Sequence, residues 1–273
     1  MGSVGDQVKF ESAAEVLNVS PRSEQRRPLR VDDRTEQLFA DVGFYWSAGQ
    51  VWKSLLAALG VGDEGRVVEF ACGVVPKVGA ALHYGTFHGT LDLVDLSQDS
   101  LARASRWLEL LGCRFTHTAR CSSIVDLEEA GYHGIFANHA IDDLVLHAYC
   151  ARTGGRLDPL FENGTNYIET WAQLVRDTAW LPAVIAQLAD TLVAALGRGG
   201  VVVMCDYESH SHRELGVSGV IEVVRNLQSL LRVEFSARGM SSIESKLPLR
   251  LESGRFELSR RDVIAFRKGE ACV

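Results

Sequence analysis

Gly73 and Asp95, 22 residues apart, each follow a short apolar run, Val67-Val68-Glu69-Phe70-Ala71 and Leu91-Asp92-Leu93-Val94. At the ends of neighbouring parallel strands, such a pair sets a tight turn beside a carboxylate that accepts two hydrogen bonds from a ribose diol. That arrangement suits any adenosine-type ligand. Glu69 lies inside the first run, where an ionised carboxylate is costly unless a donor or a cation meets it. The ammonium group of a ligand would be one such cation. The turn continues Val74-Val75-Pro76, whereas a dinucleotide fingerprint needs Gly-x-Gly-x-x-Gly so that the backbone can approach a pyrophosphate. Side chains and a proline without an N–H stand where the phosphates would sit. A phosphate cradle is disfavoured, and with it a nicotinamide-dependent oxidoreductase, although Asp95 would serve that class too.

A second group follows a later apolar run: Asn138-His139-Ala140-Ile141-Asp142-Asp143. His139 has the chemistry of a general base toward a hydroxyl, and Asp142 and Asp143 could orient an amine or guanidine. Both aspartates also stand just inside a helix start, where carboxylates favour the dipole whatever the substrate, and His139 could simply satisfy a backbone carbonyl. Beyond the next run come Asp206, Tyr207 and Glu208. Tyr207 and Glu208 follow a strand end directly and are candidates for a substrate pocket wall. Asp206, His210 and His212 are only three local ligand types in a polar loop, and no metal site is assigned. Cys72, Cys113, Cys121, Cys150, Cys205 and Cys272 form no Cys-x-x-Cys pair, so neither a zinc ribbon nor a disulfide framework is expected.

These residues need a scaffold that brings strand ends together. Strand-like runs at 67–71, 91–96, 113–118, 134–138 and 201–205 alternate with helical patterns at 77–84, 98–111, 141–150 and 181–196. Alternation of this kind implies a doubly wound α/β fold with a mostly parallel sheet covered on both faces. A helix at 220–231, a strand at 233–237 and a final strand at 263–267 would complete seven strands, with an antiparallel ending. Ahead of the first strand, a helical cap at 33–60 is expected as two helices flanking Phe44-Tyr45-Trp46. Residues 1–32 read as a flexible arm, and 33–273 as one domain. Residues 152–178 interrupt the alternation with Gly, Asn and Pro turn signals and read as a lid-like insertion after the fourth strand, where Tyr167 and Trp171 would shape the substrate pocket.

The chain has 28 Lys+Arg against 35 Asp+Glu, a net charge of −7 and a pI near 5.6. No basic field exists to displace counterions from a nucleic-acid backbone. No apolar run approaches the roughly 20 residues of a membrane span, and the N-terminal residues lack the apolar core of a signal peptide. A cytoplasmic protein with a small-molecule substrate, neither nucleic-acid-binding nor membrane-bound, is expected; a homodimer is compatible with this composition.

Together the motifs resemble the class I S-adenosylmethionine-dependent methyltransferases. The residues that carry the resemblance are Val67-Val68-Glu69-Phe70-Ala71-Cys72-Gly73, Leu93-Val94-Asp95-Leu96-Ser97 with Ser100, Leu101 and Ala104, and the stretch from Gly134 through Asn138 to Leu144. They span roughly residues 60–205 of the chain. The resemblance implies a Rossmann-like methyltransferase fold and S-adenosyl-L-methionine as cofactor. It places Glu69, Ala71, Cys72 and Gly73 beside the methionine part, Asp95 on the ribose, and Leu96 and Ser97 beside the adenosine. Asn138 would join this set, Tyr45 would cover the amino-acid end, and Ser122 or Ser123 would stand in for the acidic residue that often meets the adenine amine. His139, Asp142 and Asp143 become the catalytic candidates for methylation of nitrogen or oxygen on a small molecule, a cationic amine or guanidine among them. The chain departs from the family where glycine is usual, at Ala71 and Val75. These losses motivate the alternative of a non-catalytic binder of adenosylmethionine or its demethylated product.

Overall fold

The apolar residues of successive strands split into two sets, and the split fixes the architecture. In the computed structural model, which describes residues 42–127, 130–154, 164–207, 216–254 and 256–269 (backbone only for 42–46 and 164–167), Val68, Phe70, Ile135, Val202 and Met204 point to one face of the sheet. Their alternates Val67, Phe136, Val201 and Val203 point to the other. Period-two alternation with both faces apolar is what a sheet sandwiched between helices requires. The strands are β1 (Arg66–Phe70), β2 (Thr90–Asp95), β3 (Thr116–Cys121), β4 (Tyr132–Asn138) and β5 (Leu196–Cys205), all parallel to their neighbours within this group. The seven-stranded order is β3-β2-β1-β4-β5-β9-β6, with β6 (Ser241–Ser242) and β9 (Val263–Arg267). β9 runs antiparallel to β5 and to β6. The order reverses between β1 and β4, and a ligand crevice belongs at the carboxyl ends of strands flanking such a switch point.

Helices α1 (Val42–Ala58), α2 (Lys77–Tyr84) and α3 (Gln98–Leu111) supply the second core face. The first is covered by α4 (Ile141–Thr153), α5 (Gly164–Arg176), α6 (Leu181–Ala195) and α7 (Val220–Ala237). Both α2 and α3 have the limits their periodicity predicts. Ser97 caps α3, accepting from the Ser100 N–H at 3.2 Å, and Gly112 ends it at φ +66°, the left-handed conformation that glycine adopts without a Cβ penalty.

Two expectations are corrected, and one element is new. The strand expected at 233–237 is the last turn and a half of α7. Its buried residues run Val220, Val223, Val224, Leu227, Leu231, Phe235, a helical spacing that Val233, 62% exposed, does not join. Glu234 pairs with Arg238 one turn on. The sixth strand is the two-residue β6 beyond it. Likewise Tyr45 and its aromatic neighbours lie within the single helix α1, not between two helices. A hairpin of β7 (Arg250–Ser253) and β8 (Phe256–Ser259), absent from the sequence reading, packs against α1. The arm at 1–32 lies outside the described residues; of the insertion at 152–178, the described part contains α5.

Candidate active site

The carboxyl edge of β1 and β2 is built around the Asp95 side chain. One carboxylate oxygen accepts from the Gly73 N–H at 3.0 Å, the other from the Ser97 N–H at 2.8 Å. A single half-buried side chain thus ties the turn after β1 to the loop after β2. Gly73 sits at φ +62°, and a Cβ there would meet nothing within 4 Å, so the turn opens onto clear space. Ala71, at φ +50°, holds its place by donating its N–H to the Val94 carbonyl at 2.8 Å. A non-glycine residue in this region costs about 1–2 kcal/mol. Val75 is buried at 2% exposure in the core with Val78 and Leu101. Gly79 serves packing, because a Cβ there would stand 3.0 Å from Leu108 and 3.1 Å from Leu91.

Glu69 finds its partners inside the fold. Its two oxygens accept from the Val78 and Gly79 N–H groups at 3.1 and 2.9 Å, satisfying orphan donors in the first turn of α2. Burial pushes its pKa up to about 7 against the opposing pull of these amides and of Lys77. Cys72 is buried in the core, and burial raises its thiol well above the usual range. Its thiol donates to the Gly73 carbonyl at 3.6 Å, so the side chain braces the turn from the core side. The Ser97 hydroxyl is engaged as the α3 cap, and Ser123 accepts from the Val125 N–H at 3.4 Å. The Ser122 hydroxyl oxygen, in contrast, is shielded from solvent with no hydrogen-bond partner, while its N–H donates to the Asp95 carbonyl at 3.1 Å. Leu96 is 44% exposed beside it in sequence to Asp95, an apolar surface of the kind a base covers.

At the ends of β4 and β5 a second group converges. His139 is held at φ +58° by its N–H donating to the Cys205 carbonyl at 2.6 Å. Its Nδ1 lies 3.4 Å from Asp142, and its ring meets Tyr207 edge-on at 4.9 Å. Asp206, 2% exposed, accepts the Ile141 N–H at 3.0 Å on Oδ2, so it caps α4 from another strand, and its Oδ1 has no hydrogen-bond partner. Burial, then the like charge of Asp142, drives the Asp206 carboxyl well above the ordinary range. Burial alone would lower the His139 pKa, but Asp142, with Asp206 and Asp143, more than offsets it and raises it to about 9. The surrounding carboxyl groups thus favour the protonated ring. His139, Asp142 and Asp206 bring ligand-type atoms within 4.8 Å of one another; in this arrangement the imidazolium is the cation between the carboxylates.

Asn138 joins this second group to the cap. Its Oδ1 accepts the Trp52 indole N–H at 2.8 Å, and its Nδ2 donates to the Tyr207 hydroxyl at 3.3 Å. Trp52, wholly buried on α1, was not singled out by sequence; a lone tryptophan on an apolar face reads as core. Tyr207 also packs on Phe256 of the hairpin at 5.4 Å. Trp171 is corrected: it is fully buried with Leu174 in the core between the sheet and the helices, because α5 carries its apolar stripe inward, and it lines no open wall. The side chains of Tyr45 and Tyr167, and all of Glu208, His210 and His212, lie outside the described residues.

No protein-family model and no curated protein matches the chain. Among solved structures it is similar to a magnesium protoporphyrin IX methyltransferase from Synechocystis, at 14% identity and TM-score 0.49 over 96% of this chain and 100% of that one. It is also similar to a SAM-dependent methyltransferase from Aquifex aeolicus, at 9% identity and TM-score 0.48 over 86% and 95% of the two chains. The N-methyltransferase NodS from Bradyrhizobium japonicum aligns at 15% identity and TM-score 0.44 over 88% and 99%.

Proposed function

We propose that the protein is an S-adenosylmethionine-dependent methyltransferase acting on nitrogen or oxygen of a small molecule. The observation that carries this reading is the Gly73–Asp95 link, a carboxylate-braced turn opening onto clear space at the topological switch point. The partnerless Ser122 hydroxyl and the exposed Leu96 fit the base of an adenosine at the same edge. Asp95 stands at the strand end from which a carboxylate meets a ribose diol, and the Gly73 turn would lie against the amino-acid end. Bound adenosylmethionine supplies an electrophilic methyl group on a sulfonium.

The chain's own residues then have to align an acceptor and handle one proton. Protonated His139 is suited to donate a hydrogen bond to an oxygen of the acceptor, and Asp142, Asp143 and Asp206 set three carboxyl groups against that one imidazole. This excess favours a cationic acceptor, an amine or guanidine. A net charge of −7 speaks for a small molecule over nucleic acid, and no single described helix is long and apolar enough to cross a membrane. The test is to incubate the protein with adenosylmethionine and a panel of amines, guanidines and hydroxylated metabolites and look for a one-methyl mass increment. Transfer favouring cationic acceptors supports the reading. Tight cofactor binding with no transfer to any acceptor would leave the non-catalytic binder in its place.

A further inference from the structure

The amino ends of β1, β4 and β5, at the opposite edge of the sheet, enclose a crevice of about 150 Å³. Its construction is specific. Between Leu196, which pairs with Tyr132, and Val201, which pairs with Gly134, β5 carries four residues where β4 carries only His133. This bulge reads Gly197-Arg198-Gly199-Gly200. Its glycines are required: Gly199 is at φ +70°, and a Cβ on Gly197 or Gly200 would stand 2.9 Å from the Gly131 carbonyl or 2.7 Å from the Tyr132 carbonyl. Bulges of this kind re-aim a side chain, and here the residue carried is Arg198, exposed at the mouth.

Arg267 at the end of β9 lines the same crevice. Its guanidinium is pinned by Nη2 donating to the Leu59 carbonyl at 2.9 Å, while its Nε is sealed from solvent with no partner. A buried guanidinium N–H left unpaired is costly unless an acceptor arrives. His133 accepts the Arg66 N–H on Nδ1 at 3.2 Å, so in the neutral ring the proton sits on Nε2 as a further donor. Among the described residues Glu64 is the one acidic residue lining the crevice; it is exposed, and one of its oxygens meets His88 Nε2 at 2.9 Å. Among the described lining residues, donors and positive charge from Arg198, Arg267 and His133 outnumber the single carboxylate.

We propose that this crevice binds the oxyanion end of a small molecule, a phosphoryl or carboxylate group, between Arg198 and Arg267. Planar guanidinium groups match either oxyanion in bidentate geometry. The site is separate from the edge that carries Gly73 and Asp95, and the inference does not depend on methyl transfer.

The experiment is a titration of the full chain with inorganic phosphate, and separately with acetate, in low-chloride buffer, followed by NMR of arginine Nε–H and histidine side chains. Saturable shifts of Arg267 and Arg198 are expected, with affinity weakened about tenfold or more in Arg198→Ala, the loss of one charge-assisted pair. Arg198 is exposed, so the variant should fold, and its unchanged affinity for S-adenosylhomocysteine would confirm that only this crevice was altered. Saturation by phosphate alone assigns a phosphoryl ligand, and by acetate alone a carboxylate. Absence of saturable shifts with both ions, or binding untouched by Arg198→Ala, overturns the proposal.

Discussion

His139→Asn should convert the protein's stability into a direct report on the cluster at the ends of β4 and β5. Asparagine is the apt replacement because residue 139 sits at φ +58°, a conformation asparagine tolerates and most side chains do not. In the folded chain the His139 pKa is raised from 6.5 to about 9. At about 1.36 kcal/mol for each tenfold gain in proton affinity, that rise gives an upper figure of about 3 kcal/mol. The ring is 19% exposed, so solvent trims this, and about 1–3 kcal/mol is expected. The sign follows from the direction of the shift. The folded state binds the proton more tightly than the unfolded state. The contribution is therefore fully present below about pH 6.5 and is lost as pH rises through about 9. Urea unfolding of wild type and His139→Asn at pH values between about 6 and 10 reads the difference, and subtraction removes the groups outside the cluster. The two stabilities should differ most at the acid end and converge at the alkaline end. A difference that stays constant with pH, or that widens toward alkaline pH, would refute the ion-paired imidazolium.

Other perturbations test the remaining joints. Asp95→Ala removes the acceptor for the Gly73 and Ser97 amides; with the site half open to water, a loss of about 1–3 kcal/mol in urea unfolding is expected. Adenosylhomocysteine binding should fall by about a hundredfold in calorimetry, the worth of two hydrogen bonds to a charged group. Ala71→Gly relieves a φ of +50° at about 1–2 kcal/mol but frees the unfolded chain by about 0.4–1 kcal/mol, so stability should hold or rise slightly in the same assay. Trp52→Phe strands the Asn138 oxygen in the core and should cost at least about 1–3 kcal/mol, measured by thermal or urea unfolding.

What the sequence disclosed followed from signals that are local. The limits of α3 were legible because Ser97 and Gly112 cap it, and Asp95 because a carboxylate after an apolar run has a position as well as a type. The last turns of α7 were misread because Val233 and Phe235 alternate like a strand over a short window, and only the longer run from Val220 reveals the helical period. Contacts across the chain were out of reach. Nothing near Glu69 in sequence announces that it faces the α2 amides rather than a ligand, or that Val75 turns into the core. Asp206 capping α4 across 65 residues and Trp52 meeting Asn138 across 86 exist only once the sheet order is set. His139 was read by its unperturbed chemistry, whereas the three carboxyl groups that change it come from two different strand ends.

The central claim is that the edge marked by Gly73, Asp95 and Ser122 binds an adenosyl sulfur cofactor. Calorimetric titration of the protein with S-adenosylhomocysteine, beside NAD(H) and with Asp95→Ala as the control, addresses it most directly. The account predicts one-site binding of the sulfur ligand, marked weakening in Asp95→Ala, and no comparable binding of NAD(H). Failure of the wild-type protein to bind S-adenosylhomocysteine, or binding that Asp95→Ala leaves unchanged, would contradict it.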